Sequence, residues 1–141
     1  MTQPIVVGVD GSATAAKAAS VAARLAQATG APLHVVCAYV HENYTPMREG
    51  AAEYVWSTED SALQVADRAA REVMDLGPSV TTSAVHAKPA AALISEAERL
   101  QAGLIVVGNK HVQGLSRVLG SVALEVAHKA SCDVYIAQTH R

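Results

Sequence analysis

Two short stretches of this chain carry residue types that can hold a polar or anionic ligand. The first is Val9-Asp10-Gly11-Ser12, a carboxylate, a flexible turn residue and a helix-capping hydroxyl that follow a β-branched run. A tight strand-to-helix turn prefers these same types for structural reasons alone. The functional alternative places the Asp10 carboxylate at the carboxyl end of a strand, where open α/β sheets bind their ligands. The second stretch is Gly108-Asn109-Lys110-His111-Val112-Gln113-Gly114-Leu115-Ser116-Arg117-Val118-Leu119-Gly120-Ser121. Its glycines let backbone amides approach an anion, and the start of a following helix adds partial positive charge. Lys110, Arg117, Ser116 and Ser121 add further donors, so the outline is that of a phosphate cradle. It lacks the Gly-Lys-Ser/Thr ending of a Walker loop, and Gly8-Val9-Asp10-Gly11 does not complete a Gly-x-Gly-x-x-Gly fingerprint. A plain glycine-rich loop therefore stays open as the alternative.

The elements that must position these residues follow from periodicity. Short β-branched runs alternate with alanine-rich stretches whose polar residues recur every three or four positions, the pattern of repeated strand and helix units. Strands are expected at Ile5–Val9, Leu33–Tyr39, Val80–Val85, Leu104–Val107 and Val134–Ala137. Between Ser12 and Thr29, Lys17, Ser20, Arg24 and Gln27 form a polar stripe that leaves Ala18, Val21, Ala22 and Leu25 to face a sheet. A second helix is announced by Ser57 and Asp60 in capping-box spacing and closes at Gly77-Pro78, with Leu63, Ala66, Ala70 and Val73 as its buried stripe. A third starts beside Pro89 and ends before Gly103, and a fourth runs from Gly120-Ser121 to near Ala130, with Glu125 and Lys129 as an i,i+4 pair. Five strands with intervening helices imply a doubly wound, mostly parallel α/β sheet with helices on both faces. The stretch 41–56, with Tyr44, Tyr54 and Trp56, is long and aperiodic, the habit of functional loops.

Bulk properties narrow the function classes. The chain has 141 residues, 50% of them apolar, which suits one domain over 1–141 with a single core. A formal charge of −2 argues against a nucleic-acid partner, which calls for a basic face. No apolar stretch reaches the roughly 20 residues of a bilayer span, and no signal-like segment opens the chain, so the expectation is a cytoplasmic protein with no membrane association. Cys37 and Cys132 sit in apolar segments without metal-ligand spacing and are expected as buried free thiols. The histidines show no paired spacing, so no metal site is expected.

Taken in order, Ile-Val-Val-Gly-Val-Asp-Gly-Ser at 5–12, Leu-Ile-Val-Val-Gly-Asn at 104–109 and Leu-Gly-Ser-Val-Ala at 119–123 resemble the universal stress protein family across essentially the whole chain. The resemblance implies a five-stranded parallel sheet in the order 3-2-1-4-5, a homodimer, and in many members binding of ATP or another adenine nucleotide. Position by position, it implies that Asp10 contacts the adenine or ribose end, with Val9 and Gly11 beside it among the nucleotide-binding residues, and that Val40 offers backbone atoms to the adenine. Gly108, Gly120, Ser121 and Val122 then belong to the phosphate end, with Lys110, His111, Gly114, Ser116 and Arg117 in the intervening loop. The sequence departs from the nucleotide-binding pattern in two ways. His111 stands where a second glycine is usual, and the eight residues between His111 and Gly120 are one fewer than usual. A further departure is Ala87-Lys88-Pro89, where the family often has a glycine before the proline.

Three functions compete. The first is a regulatory, non-catalytic stress protein that binds ATP, AMP or cyclic AMP and alters contact with a client protein. The second is a family member that has lost nucleotide binding and works as a protein-interaction module, a reading that His111 and the shortened loop favour. The third, ATP hydrolysis, needs a water-orienting residue and a metal-phosphate motif, which the sequence does not display. Dimerisation is expected through the C-terminal strand, because Val134-Tyr135-Ile136-Ala137 is an apolar edge without charge or proline protection, whereas Val80–Val85 is diluted with hydroxyls.

Overall fold

A computed structural model describes residues 3–40, 58–109 and 119–139. In chain order the elements are β1 (Ile5–Gly8), α1 (Ala13–Thr29), β2 (Leu33–Tyr39), α2 (Glu59–Val73), β3 (Val80–His86), α3 (Pro89–Leu100), β4 (Leu104–Gly108), α4 (Ser121–Lys129) and β5 (Asp133–Ala137). All five strands pair in parallel in one sheet of order β3-β2-β1-β4-β5. The expected fold class and strand order are those observed. β1 and β2 start in register at Ile5 and Leu33, and β1 and β4 at Ile5 and Leu104; β1 ends at Gly8 opposite Val36, while β2 runs on three residues to Tyr39.

Alternation along the strands divides the core into two layers, because successive side chains of a strand point to opposite faces. Ile5, Val7, Leu33, Val35, Cys37 and Val106 pack beneath α1 and α2. Val6, Val36, Ile105 and Val107 pack beneath α3 and α4. Both faces are covered, which is why the central strands read as unbroken apolar runs.

Helix α1 buries a face made wholly of alanine, Ala15, Ala18, Ala19, Ala22, Ala23 and Ala26, with Val21 and Leu25 only partly buried at its margin. Small side chains let the helix axis come close to the sheet. Helix α2 begins one residue later than the capping spacing implied. Thr58 is its cap, its Oγ1 accepting from the Ser61 amide at 3.2 Å, while Ser57 lies outside the described residues. The buried stripe is Ala62, Ala66, Ala70 and Val73, with Ala62 in place of the expected Leu63, which is exposed. The helix then tightens into a short 3-10 turn, Met74–Leu76, and stops at Gly77 as expected. Helix α3 opens on Pro89 and ends at Gln101 in the left-handed region. Helix α4 starts at Ser121 behind Gly120, as the sequence implied, and the Glu125–Lys129 pair forms at 3.3 Å. Cys37 is buried, but Cys132 is only half-buried, because it precedes the edge strand β5 where one flank has no neighbour. Among the described residues no helix is long and apolar enough to cross a membrane.

Candidate functional site

The strand order reverses between β1 and β4, whose following helices α1 and α4 lie on opposite faces, so the chain leaves a crevice at their carboxyl ends. That crevice has a volume of about 350 Å³. Its walls are Gly8, Val9 and Asp10 after β1, Ser12, Thr14 and Ala15 of the α1 entry, and Val107 and Gly108 of β4. Val36 and Ala38 of β2, Pro89, Ala92 and Leu93 of α3, and Val122 of α4 complete it.

The turn after β1 is built by its own side chains. The Val9 amide extends the sheet by donating to the Val36 carbonyl at 2.8 Å. The Asp10 carboxylate accepts from the Ser12 amide at 2.9 Å through Oδ1, and the Ser12 hydroxyl accepts from the Ala15 amide at 3.1 Å to cap α1. Gly11 between them has φ +88°, in the left-handed region that favours glycine. Both readings of this tetrapeptide therefore meet in one place. Asp10 and Ser12 shape the turn, and the turn is a wall of the crevice.

Across the crevice, Gly108 ends β4 where an added Cβ would lie 3.1 Å from the Thr14 methyl carbon, so the absence of a side chain is what lets α1 close on β4. The next residue, Asn109, is buried and ties the end of β5 down, its amide donating to the Ala137 carbonyl at 2.9 Å and Nδ2 to Gln138 Oε1 at 3.1 Å. Helices α1 and α2 have side-chain caps, whereas α3 and α4, both of which reach the crevice, have none. Among the described residues the first turn of α4 behind Gly120 thus has no capping side chain, the condition under which a helix start receives an anion.

Of the residues expected at a ligand site, Val9, Asp10, Gly108 and Val122 line the crevice, Gly11 and Ser121 lie next to lining residues in the chain, and Gly120 precedes α4 two residues before Val122. Lys110, His111, Gly114, Ser116 and Arg117 lie outside the described residues, as does the stretch 41–56. Val40 is not a crevice wall. It is 51% exposed just past β2, its carbonyl accepting from His86 Nε2 at 3.3 Å, while the His86 ring stacks on Tyr39 at 5.1 Å. The floor and the α3 wall, Val36, Ala38, Ala92 and Leu93, were not singled out in the sequence. The signal that could have found them is positional: alternate residues of β2 and the first turns of the helix after β3 share the face that β1 and β4 open onto.

The Cys37 thiol is pushed up to about 12 by burial and by the nearby Asp10 charge, so it is a packing group and not a nucleophile at neutral pH. Among the described residues no three His, Cys, Asp or Glu side chains gather as a metal site.

A doubly wound parallel sheet with a crevice at its switch point defines a class of α/β proteins. Within that class the chain is a member of the universal stress protein family, whose model matches residues 1–138. It is 25% identical over 154 residues to the universal stress protein YxiE of Bacillus subtilis, covering 98% of this chain and all of that one. It is also similar to a universal stress protein solved in complex with cyclic AMP, at 30% identity, 98% of each chain and a TM-score of 0.74. A universal stress family protein from Burkholderia pseudomallei superposes with a TM-score of 0.68 at 26% identity over 96% of this chain and 95% of that one.

Proposed function

We propose that this protein binds an adenine nucleotide, with cyclic AMP, AMP or ATP as the candidates, and acts in stress regulation by binding, without turnover. The observation that carries the reading is the crevice itself. It sits at the β1/β4 switch point, is floored by apolar Val36 and Leu93, and is bounded by a carboxylate at Asp10 and by the α4 start, which has no side-chain cap. An apolar floor suits a base, a carboxylate at a strand end suits ribose hydroxyls, and exposed helix amides suit phosphate. The relative solved with cyclic AMP, 30% identical over nearly the whole chain, supports the same ligand class. In this reading Val9, Asp10 and Gly11 serve the nucleoside end, and Gly108, Gly120, Ser121 and Val122 the phosphate end. The loop residues Lys110, His111, Gly114, Ser116 and Arg117 add donors there, and Val40, outside the crevice wall, offers backbone atoms to the adenine only if the ligand extends past β2. The protein works in the cytoplasm, as a homodimer joined along β5, and passes the bound state to a client protein.

The test is to denature freshly purified protein, identify released small molecules by mass spectrometry, and then follow ATP for product formation. A bound nucleotide without turnover supports the proposal. Accumulating ADP and phosphate would make the protein an enzyme and sink the non-catalytic reading.

A further inference from the structure

The face of the sheet that carries the crevice holds a second polar cluster, one layer deeper. His34 of β2 is 4% exposed and Glu96 of α3 is 7% exposed, both unusual burials for ionisable side chains. His34 Nε2 lies 3.1 Å from Glu96 Oε1, and Nδ1 lies 2.6 Å from the Thr81 hydroxyl of β3. Ser83 donates to Glu96 Oε1 at 2.9 Å, and Arg99 clamps the carboxylate with Nε on Oε2 at 2.9 Å and Nη2 on Oε1 at 2.8 Å.

These contacts settle the protons. The Arg99 guanidinium, helped by the Ser83 and His34 hydrogen bonds, outweighs burial and holds Glu96 down to about 2, so it is a carboxylate at neutral pH. A carboxylate can only accept, so His34 Nε2 carries the ring proton and Nδ1 is the bare nitrogen that accepts from Thr81. Each polar atom of the ring then has a partner, and the cluster carries one negative and one positive charge.

A second proton on His34 upsets that balance. Nδ1 and the Thr81 hydroxyl then both present hydrogens until the Thr81 hydroxyl turns, and an additional cation enters a buried ring position whose carboxylate partner is already paired with Arg99. The competition falls on a single atom, since Arg99 and His34 share Glu96 Oε1. Burial opposes the imidazolium more strongly than Glu96 favours it, and the His34 pKa is lowered from its ordinary value accordingly. The charged groups acting on the ring are Glu96 and Arg99, both from α3. Its β3 neighbours are the hydroxyls Thr81 and Ser83, and its partner in register on β1 is Val6, none of which titrates at these pH values.

We propose that the His34–Glu96–Arg99 cluster is a proton-operated latch for α3, closed while His34 is neutral and released when acid protonates it. Opening α3 is what lets water reach the imidazolium, so protonation and undocking of α3 are linked. Because Ala92 and Leu93 of the same helix wall the crevice, release also loosens the ligand site, giving the protein a response to acidification separate from any nucleotide.

The experiment is amide hydrogen exchange on the wild-type protein without added ligand between pH 7.5 and 5, corrected for the intrinsic pH dependence of exchange. The opening constant of α3 amides should rise below pH 6.5, approaching about tenfold per pH unit, the limit for uptake of one proton. Amides of β1 and β4 should change less. In His34→Gln, which keeps a neutral donor but cannot titrate, the rise should vanish. A flat wild-type profile, or an equal slope in the variant, overturns the latch. Imidazole nitrogen shifts of the wild type supply a check that needs no variant. The bare nitrogen at pH 7.5 must be Nδ1, and a protonated Nδ1 there would overturn the proposal as well. With no nucleotide in the sample, these outcomes are independent of the nucleotide reading.

Discussion

Leu93 and Gly8 offer the sharpest test of how the crevice floor is held. Leu93 is 3% exposed, and a Cβ built on Gly8 would stand 3.1 to 3.3 Å from its branch carbons, so β1 ends in glycine because α3 lays a leucine across it. Truncating a buried leucine costs about 2–5 kcal/mol. Here the vacated space adjoins an open crevice that water can enter, which puts Leu93→Ala near the low end, about 2–3 kcal/mol. For a chain of this size that is a drop of about 8–12 °C in Tm. Gly8→Ala in the wild-type background overpacks the same spot and should cost about 1–3 kcal/mol. Combined with Leu93→Ala, the new methyl enters space that the leucine has left, and Gly8 has no positive φ for an alanine to strain. The second change should then be neutral or stabilising, giving a coupling of about 1–3 kcal/mol in urea denaturation. Additivity within about 0.5 kcal/mol would refute the contact and with it this account of the floor.

Acid should weaken the fold in two windows. His34 has a lowered folded-state pKa, so its contribution is complete above 6.5 and is lost as pH falls below it. Glu96, held down to about 2, contributes above its ordinary 4.5 and loses that contribution as pH falls toward 2. The urea midpoint against pH should show both declines, and Glu96→Gln should flatten the lower one. Ile136→Lys, on the edge strand β5 beside exposed Tyr135, should turn a dimer into a monomer in sedimentation, and a lysine variant as dimeric as its parent would rule out the β5 interface. Iodoacetamide at pH 8 should label half-buried Cys132 and spare Cys37 in the native protein, both reacting in urea; rapid native labelling of Cys37 would contradict its burial.

Local patterns carried most of the fold. Unbroken apolar runs marked strands covered on both faces, and Gly11, Gly30, Gly77 and Pro89 punctuated the helices where the chain turns. Boundaries failed where two cap candidates stood side by side. The sequence points to Ser57 by its spacing to Asp60, whereas Thr58 caps α2, its Oγ1 accepting from the Ser61 amide; both are capping residue types, so type alone does not fix the start. The β1 turn and Gly108, which wall the crevice, were legible because each closes a strand whose apolar run is contiguous in the chain. The His34 cluster was not, since its members come from β2, β3 and α3 and meet only through strand register. One signal was present: Glu96 follows Leu93 and Ala92 at helical spacing, so a carboxylate on the buried stripe of α3 required partners from the sheet below.

The central claim is a nucleotide in the crevice, and amide chemical shifts on titrating cyclic AMP into the protein test it most directly. The account predicts saturable shifts centred on the turn 9–12, the end of β4 at Gly108, the loop 110–117, the start of α4 at 120–122 and the α3 wall at Ala92 and Leu93. No shifts at millimolar cyclic AMP, AMP or ATP, or shifts centred on a surface away from the β1/β4 switch point, would contradict it.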